Sequence, residues 1–272
     1  MVPRPRGKAR VAVAALLAAV AAAAAGCGTA SAYADPPVAV GTRAPAAAAA
    51  APLPLPLAGK IVGIDPGHNG RNHTDPSFLD HQVWNGREQE DCDTTGTATD
   101  GGYTEALFNF QVAGYLRADL IKDGARVVMT RTTNDGIGPC VNQRASIINA
   151  SHADVAVDIH ADGAPSWGRG FTVLEPVADG PNDGVIASSA RLAGDVRAAM
   201  LEYTTMPVSN YDGKNGTTLR DDLAGLNLTT VPKILIEAGN MKNPADAAML
   251  TSAAFQRQVA AVLLRAIVIF LR

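Results

Sequence analysis

Basic charge is in short supply in this sequence, and the shortage excludes a class of functions. Lys and Arg number 23 against 26 Asp and Glu, a formal net charge of −3, and the isoelectric point is near 5.9. A nucleic-acid-binding domain carries a basic patch or stripe, so no nucleic-acid partner is expected. Internal repeats and a second domain are missing too, which leaves one large α/β unit as the simplest organisation for 272 residues. The compact His-Glu-x-x-His zinc motif is absent. The apolar C-terminal stretch Ser252–Leu271 is interrupted by Arg265 and reads as a core helix, so no stable membrane span is expected in the mature chain. Cysteine is limited to Cys27, Cys92 and Cys140.

The N-terminus is the most biased part of the chain. Arg4, Arg6, Lys8 and Arg10 precede an Ala/Val/Leu run over Val11–Ala25, and Ala-x-Ala sites follow at Ala30–Ala32 and Ala32–Ala34. A positive segment, an apolar segment and a small-residue cleavage site make residues 1–34 a secretory signal peptide. The expected location is secreted or periplasmic, in the cell envelope. A second reading comes from Ala24-Ala25-Gly26-Cys27, similar to a lipoprotein box without its usual leucine, which would anchor the chain through lipid on Cys27. Residues 35–59 alternate Ala and Pro without the means to bury a core and read as an extended linker. The domain is expected over 60–272.

Within it, Lys60–Asp65 reads as a buried β-branched strand closed by Pro66-Gly67, with His68 just past the turn. Arg71–Gly102 is long, polar and without period, which points to a functional loop. Leu107, Phe110, Ala113, Leu116 and Leu120 recur at helical spacing over Tyr103–Asp123, with Thr104 as cap and Gly124 as stop. Strands are expected at Arg126–Thr130, Asp154–His160, Gly170–Glu175 and Lys233–Glu237, and helices at Val141–Ala150, Gly184–Tyr203 and Ser252–Leu271. Strands alternating with helices make a mixed, twisted sheet flanked by helices.

Four acids and bases fall at element ends: His68, Glu105, His160 and Glu237. Each has a plain explanation. Glu105 suits a helix N-terminus electrostatically, His160 could be a satisfied core histidine, and Glu237 could pair with a surface lysine. Together they match a catalytic zinc site, which takes three protein ligands and leaves a position for water; a further carboxylate then moves the proton.

The ordered motifs Asp65-Pro66-Gly67-His68, Glu105 opening a helix, Thr130-Arg131, Arg144 with Ala150, Ile159-His160-Ala161-Asp162 and Ile236–Asn243 carry a resemblance. They resemble the zinc-dependent N-acetylmuramoyl-L-alanine amidases of the type-3 group, over about residues 60–271. The resemblance implies a phosphorylase/hydrolase-like fold and one Zn2+ per chain held by His68, Glu105 and His160. It also implies Glu237 as general base and acid, and peptidoglycan as substrate, cut between the lactyl group of N-acetylmuramic acid and L-alanine. Other readings are a zinc carboxypeptidase or endopeptidase on stem peptides and a non-catalytic wall-binding protein of the same fold. Asp158 departs from the serine usual before Ile-His; it orients a ligand histidine or pairs with Arg169. The Arg71–Gly102 segment is long for the family and reads as a disulfide-fixed flap. A monomer is the default expectation, and dependence on an activator protein is not readable. Trp84 and Trp167 are expected in loops, and His73, His81 and His152 match no motif.

Once Cys27 leaves with the signal peptide, Cys92 and Cys140 remain in an oxidising compartment and are expected to pair. Closing that loop stabilises by roughly 4 kcal/mol in the chain-entropy account. Thiol titration of the unfolded, unreduced mature chain is expected to find no free thiol; two would exclude the bond.

Overall fold

The apolar β-branched run Ile61–Pro66 (β1) lies at the second place of a six-stranded sheet. The protein is described by a computed structural model covering residues 55–272, so the expected signal segment 1–34, Cys27 and linker residues up to 54 lie outside the described residues. β4 (Arg126–Met129) and β5 (Val155–Asp162) run parallel to β1 on either side. β8 (Lys233–Asn240) is parallel to β5, β6 (Thr172–Pro176) is antiparallel to β8, and β7 (Thr217–Arg220) closes the far edge parallel to β6. The strand order is therefore β4-β1-β5-β8-β6-β7, a mixed sheet as expected.

The period-2 pattern of the central strands sorts their side chains onto two faces. Val62, Ile64, Val155, Val157, Ile159, Ile234 and Ile236 face the main core, packed against α2 (Glu105–Lys122), α4 (Ile186–Tyr203) and α7 (Ala253–Phe270). α7 is long and apolar enough to cross a membrane, but it is the central helix of this layer, packed between α2 and α4. The opposite face, with Ala156 and Leu235, is covered by α3 (Val141–Ala150) and the short α5 (Ala224–Asn227). Gly63 lets α3 approach, since a Cβ there would lie 2.7 Å from Ile148 Cδ1.

Several expectations are corrected. On α2, Ala113, Leu116 and Leu120 are buried as expected, but Phe108 and Val112 are buried with them while Leu107 and Phe110 are only half-buried, the Phe110 ring lying under the Arg131 guanidinium at 5.0 Å. Arg71–Gly102 is not structureless. It holds a 3₁₀ turn at Asn72–Thr74, the helix α1 (Pro76–Leu79) capped by Asp75, and the hairpin β2 (Gln82–Trp84) and β3 (Gln89–Asp91). These elements are too short to show periodicity, and Cys92 fastens them to Cys140 through a disulfide with Cα atoms 4.5 Å apart. β5 and β8 run past His160 and Glu237, because neighbouring strands supply ladder partners beyond the Ala-Gly that reads as a break. β7, α5 and α6 (Pro244–Leu250) were not legible as elements.

The domain also begins earlier than residue 60. Leu55–Gly59 form a turn in which Leu57 is buried against the core and its N–H donates to Asp123 O at 2.9 Å. Truncating a buried leucine costs about 2–5 kcal/mol. Leu57→Ala is expected to lower the denaturant midpoint by that stability with unchanged m-value; an unaltered midpoint would return residues 55–59 to the linker.

Candidate active site

The site is built at the carboxyl ends of β1, β5 and β8. After β1 the chain turns at Gly67, and His68 adopts the left-handed conformation (φ 56°), which costs a non-glycine residue about 1–2 kcal/mol. Buried arginines offset that cost by taking the carbonyls of the turn. Arg144 donates to Pro66 O at 2.9 Å and His68 O at 2.7 Å, and Arg131 donates to Pro66 O at 2.8 Å and Gly67 O at 3.2 Å. Asn109 donates to Gly67 O as well.

Glu105 is the first residue of α2, after Thr104, whose Oγ1 caps the helix. Its carboxylate reaches into the site: Oε2 accepts from Thr97 N at 2.9 Å and Oε1 from Ala161 N at 3.3 Å. His68 Nε2 lies 3.2 Å from Oε2 and His160 Nδ1 2.8 Å from Oε1. The donor atoms of His68, Glu105 and His160 thus all fall within 4.8 Å of one another. Both imidazoles present their remaining nitrogen to another carboxylate. His68 Nδ1 is 3.2 Å from Asp93 Oδ1, and His160 Nε2 is 3.3 Å from Asp158 Oδ1. Arg169 pairs with Asp246 instead, and Asp158 faces His160 and Lys233.

Glu237 stands opposite His160 in the parallel β5–β8 register. Its Oε2 is buried and accepts no hydrogen bond among the described residues. Among the described residues it has no lysine partner, and Lys233 Nζ bonds Asp65. His68, Glu105, His160 and Glu237 line one cavity of about 300 Å³ together with Arg220, which Asp222 holds through two bonds of 2.7 Å. A second cavity of about 180 Å³, bounded by Glu90 and Asp91 of the hairpin, shares the histidines as its wall.

Titration behaviour follows from this crowding. Burial opposes protonation of His68, yet Glu105 and Asp93 prevail and push it up to about 9. His160 is raised well above its ordinary value, Asp158 and Glu105 outweighing burial. Glu105 is driven the other way: burial would raise it, but the two histidines hold it well below the usual carboxylate range. Burial, with Glu105 and Asp162 nearby, raises Glu237 well above its ordinary value. The donor set fits a metal: two imidazole nitrogens and a carboxylate converge, and each imidazole is oriented from behind. The other His/Cys group, His81 with Cys92 and Cys140, offers no thiolate because its cysteines are bonded to each other.

All four expected site residues come together, and Asp158 faces a ligand histidine as one of its two expected readings had it; Asp93 and Lys233 were not anticipated. Asp93 carried no recognisable spacing. Lys233, a lysine opening an apolar strand and 1% exposed, was a usable signal, since lysine is almost never fully buried unless paired. Trp84, expected in a loop, ends β2, whereas Trp167 lies in a loop and is 68% exposed. His73, His81 and His152 lie outside the cavity.

Comparison with known proteins agrees with this geometry. The profile of the N-acetylmuramoyl-L-alanine amidase family matches residues 62–268. The chain is 40% identical over 222 residues to an N-acetylmuramoyl-L-alanine amidase of Mycobacterium tuberculosis, covering 79% of this chain and 88% of that one. Two crystal structures of the N-acetylmuramyl-L-alanine amidase Ami1 superpose with a TM-score of 0.74 over 79% of this chain. The Mycobacterium smegmatis protein is 39% identical with 98% of it covered, and the Mycobacterium abscessus protein 40% identical with 100% covered.

Gly67 gives a direct test of the assembly. A Cβ at this position would lie 2.1 Å from His160 Cε1 and Nε2. Gly67→Ala is therefore expected to displace the imidazole and weaken Zn2+ binding about 10–100-fold, the scale of lost ligand orientation, with an unchanged far-UV spectrum. Wild-type affinity would show that the ring is not confined there.

Proposed function

The chain belongs to the N-acetylmuramoyl-L-alanine amidase family, and from that premise we propose that it works with a single zinc ion held by His68, Glu105 and His160, and with Glu237 as the proton-transferring carboxylate. It is a peptidoglycan hydrolase, acting on the amide between the lactyl group of N-acetylmuramic acid and L-alanine. One observation carries the zinc reading: His68 Nε2, Glu105 and His160 Nδ1 converge while Glu237, half-buried and with its buried Oε2 unpaired among the described residues, lines the same cavity.

Zinc in such a site lowers the pKa of water to roughly 7 and polarises the scissile carbonyl. The rest is done by the chain. Glu105, fixed by the Thr97 and Ala161 amides, keeps its oxygens aimed between the two imidazoles. Glu237 takes the proton of the attacking water and hands it to the leaving amine. A carboxyl whose burial raises its proton affinity suits that double duty, because an ordinary carboxylate holds a proton too weakly near neutral pH. Asp93 and Asp158 fix which imidazole nitrogens face inward.

The remaining features form a consistent set. Residues 1–34 direct the chain out of the cytoplasm, residues 35–54 tether the domain, and the wall polymer is reached in the cell envelope. The disulfide-pinned hairpin flanks the cleft, with Arg87 bridging it to Asp179 at 3.0 Å. The protein acts as a monomer.

Muramyl dipeptide incubated with the mature domain is expected to release free L-Ala-D-isoglutamine in a mass spectrum. Chelation is expected to abolish the release and Zn2+ to restore it. Glu237→Gln is expected to retain bound zinc and lose turnover by about 10²–10⁴-fold, the range for removal of a general base. Near wild-type turnover would remove Glu237 from the role.

A further inference from the structure

Beneath the site lies a run of buried charges that hydrolysis itself does not require. Lys233 Nζ sits between two carboxylates, 2.7 Å from Asp65 Oδ2 and 3.2 Å from Asp158 Oδ2. Asp65 also accepts from Arg144 at 2.9 Å and from Thr130 Oγ1 at 2.6 Å. Arg144 continues to Asp93 Oδ2 at 3.4 Å. The outermost members, Asp158 and Asp93, are the carboxylates behind His160 Nε2 and His68 Nδ1. The five groups on the path from His160 to His68 therefore alternate in sign: Asp158, Lys233, Asp65, Arg144, Asp93. All five charged residues between the histidines are buried.

The sheet explains how the path closes. Asp65 and Asp158 are register partners on β1 and β5, and Lys233 comes from β8, beyond β5. Three neighbouring strands thus place one charge each on the face opposite the main core. Arg144 arrives from α3 and Asp93 from the residue after the disulfide. α5 roofs the lysine: a Cβ on Gly225 would lie 3.2 Å from Lys233 Nζ and 3.3 Å from Asp158 Oδ2.

Stability alone is a poor reason for such an arrangement. Replacing a buried ion cluster by apolar side chains of similar volume is often neutral or stabilising. What the charges add is direction: Lys233, Asp65, Arg144 and Asp93 are joined by hydrogen bonds, and Asp158 faces Lys233 and His160 as a charge contact at 3.2 and 3.3 Å, so the chain of groups permits few geometries. An ion cluster with no bearing on the site has no reason to end on the outer nitrogens of both imidazoles. We infer that this alternating arch is one positioning device for both ligand histidines. Lys233 is its keystone, a determinant of zinc affinity that itself touches neither histidine. The inference rests on the zinc reading above and extends it to residues outside the donor set.

The test reads zinc affinity and fold separately. Lys233→Met strands Asp158 without a cation, whereas Lys233→Met combined with Asp158→Asn removes cation and carboxylate together and leaves Asp65 with Arg144. The double variant is expected to melt near the wild-type temperature without metal and to bind Zn2+ at least tenfold more weakly in competition with a chromogenic chelator, in line with losses on removal of orienting partners. Lys233→Ala/Asp158→Ser serves as a second charge-free pair. Affinity within twofold of wild type in either folded double variant overturns the inference. Wild-type protein labelled with ¹⁵N-histidine and loaded with zinc supplies a reading independent of any variant. Two exchange-protected imidazole N–H protons, from His68 Nδ1 and His160 Nε2, are expected, and their absence overturns the arch. A wild-type chain that binds no zinc at all overturns the zinc reading with it, while binding that the variants leave intact overturns the arch alone.

Discussion

The ionised carboxylate of Asp65 is the constraint around which the molecule is arranged. Removing a charge from water costs several kcal/mol even after relaxation, and Asp65 is 1% exposed. That cost is met by donors from three separate elements: Thr130 after β4, Arg144 on α3 and Lys233 at the head of β8. Burial alone would raise its proton affinity, yet Lys233 and Arg144 hold it far below the usual carboxylate range. Strand order, the seat of α3 and the turn that presents His68 all meet at this one side chain. Arg144 shows the economy of the arrangement, since it also holds the carbonyls of Pro66 and His68.

Much of this was legible from residues alone, for identifiable reasons. β1 and β5 announce themselves through β-branched runs, and the split of Val155, Val157 and Ile159 from Ala156, Asp158 and His160 follows directly from the strand period. His68, His160 and Glu237 stand out because a histidine or glutamate beside an apolar strand is costly to place there without a task, and Glu105 because it opens a helix. The order of their motifs then made the family recognisable.

What stayed hidden depends on tertiary partners. Periodicity placed Ala113, Leu116 and Leu120 of α2 but not its first turns, because Phe108 and Phe110 are equally apolar and Arg131 lies over the Phe110 ring. The hairpin within residues 71–102 has three-residue strands, below the length at which alternation can be counted. Asp93 reaches His68 across 25 positions of sequence, a distance no local pattern encodes. Leu57 looked like part of an Ala/Pro tether and belongs to the core, where it packs in the main apolar cluster and donates its N–H to Asp123 O.

His160 and Glu237 face each other from adjacent parallel strands. The span between them is set by the inter-strand spacing of about 4.8 Å, and no loop contributes to it. Loops around the cleft, including the hairpin and the segment carrying Trp167, are therefore free to diverge in length and composition without disturbing the distance between the histidine and the proton acceptor. The geometry of the chemistry is thus held by the sheet, and the shape of the cleft that meets the substrate by the loops at its rim.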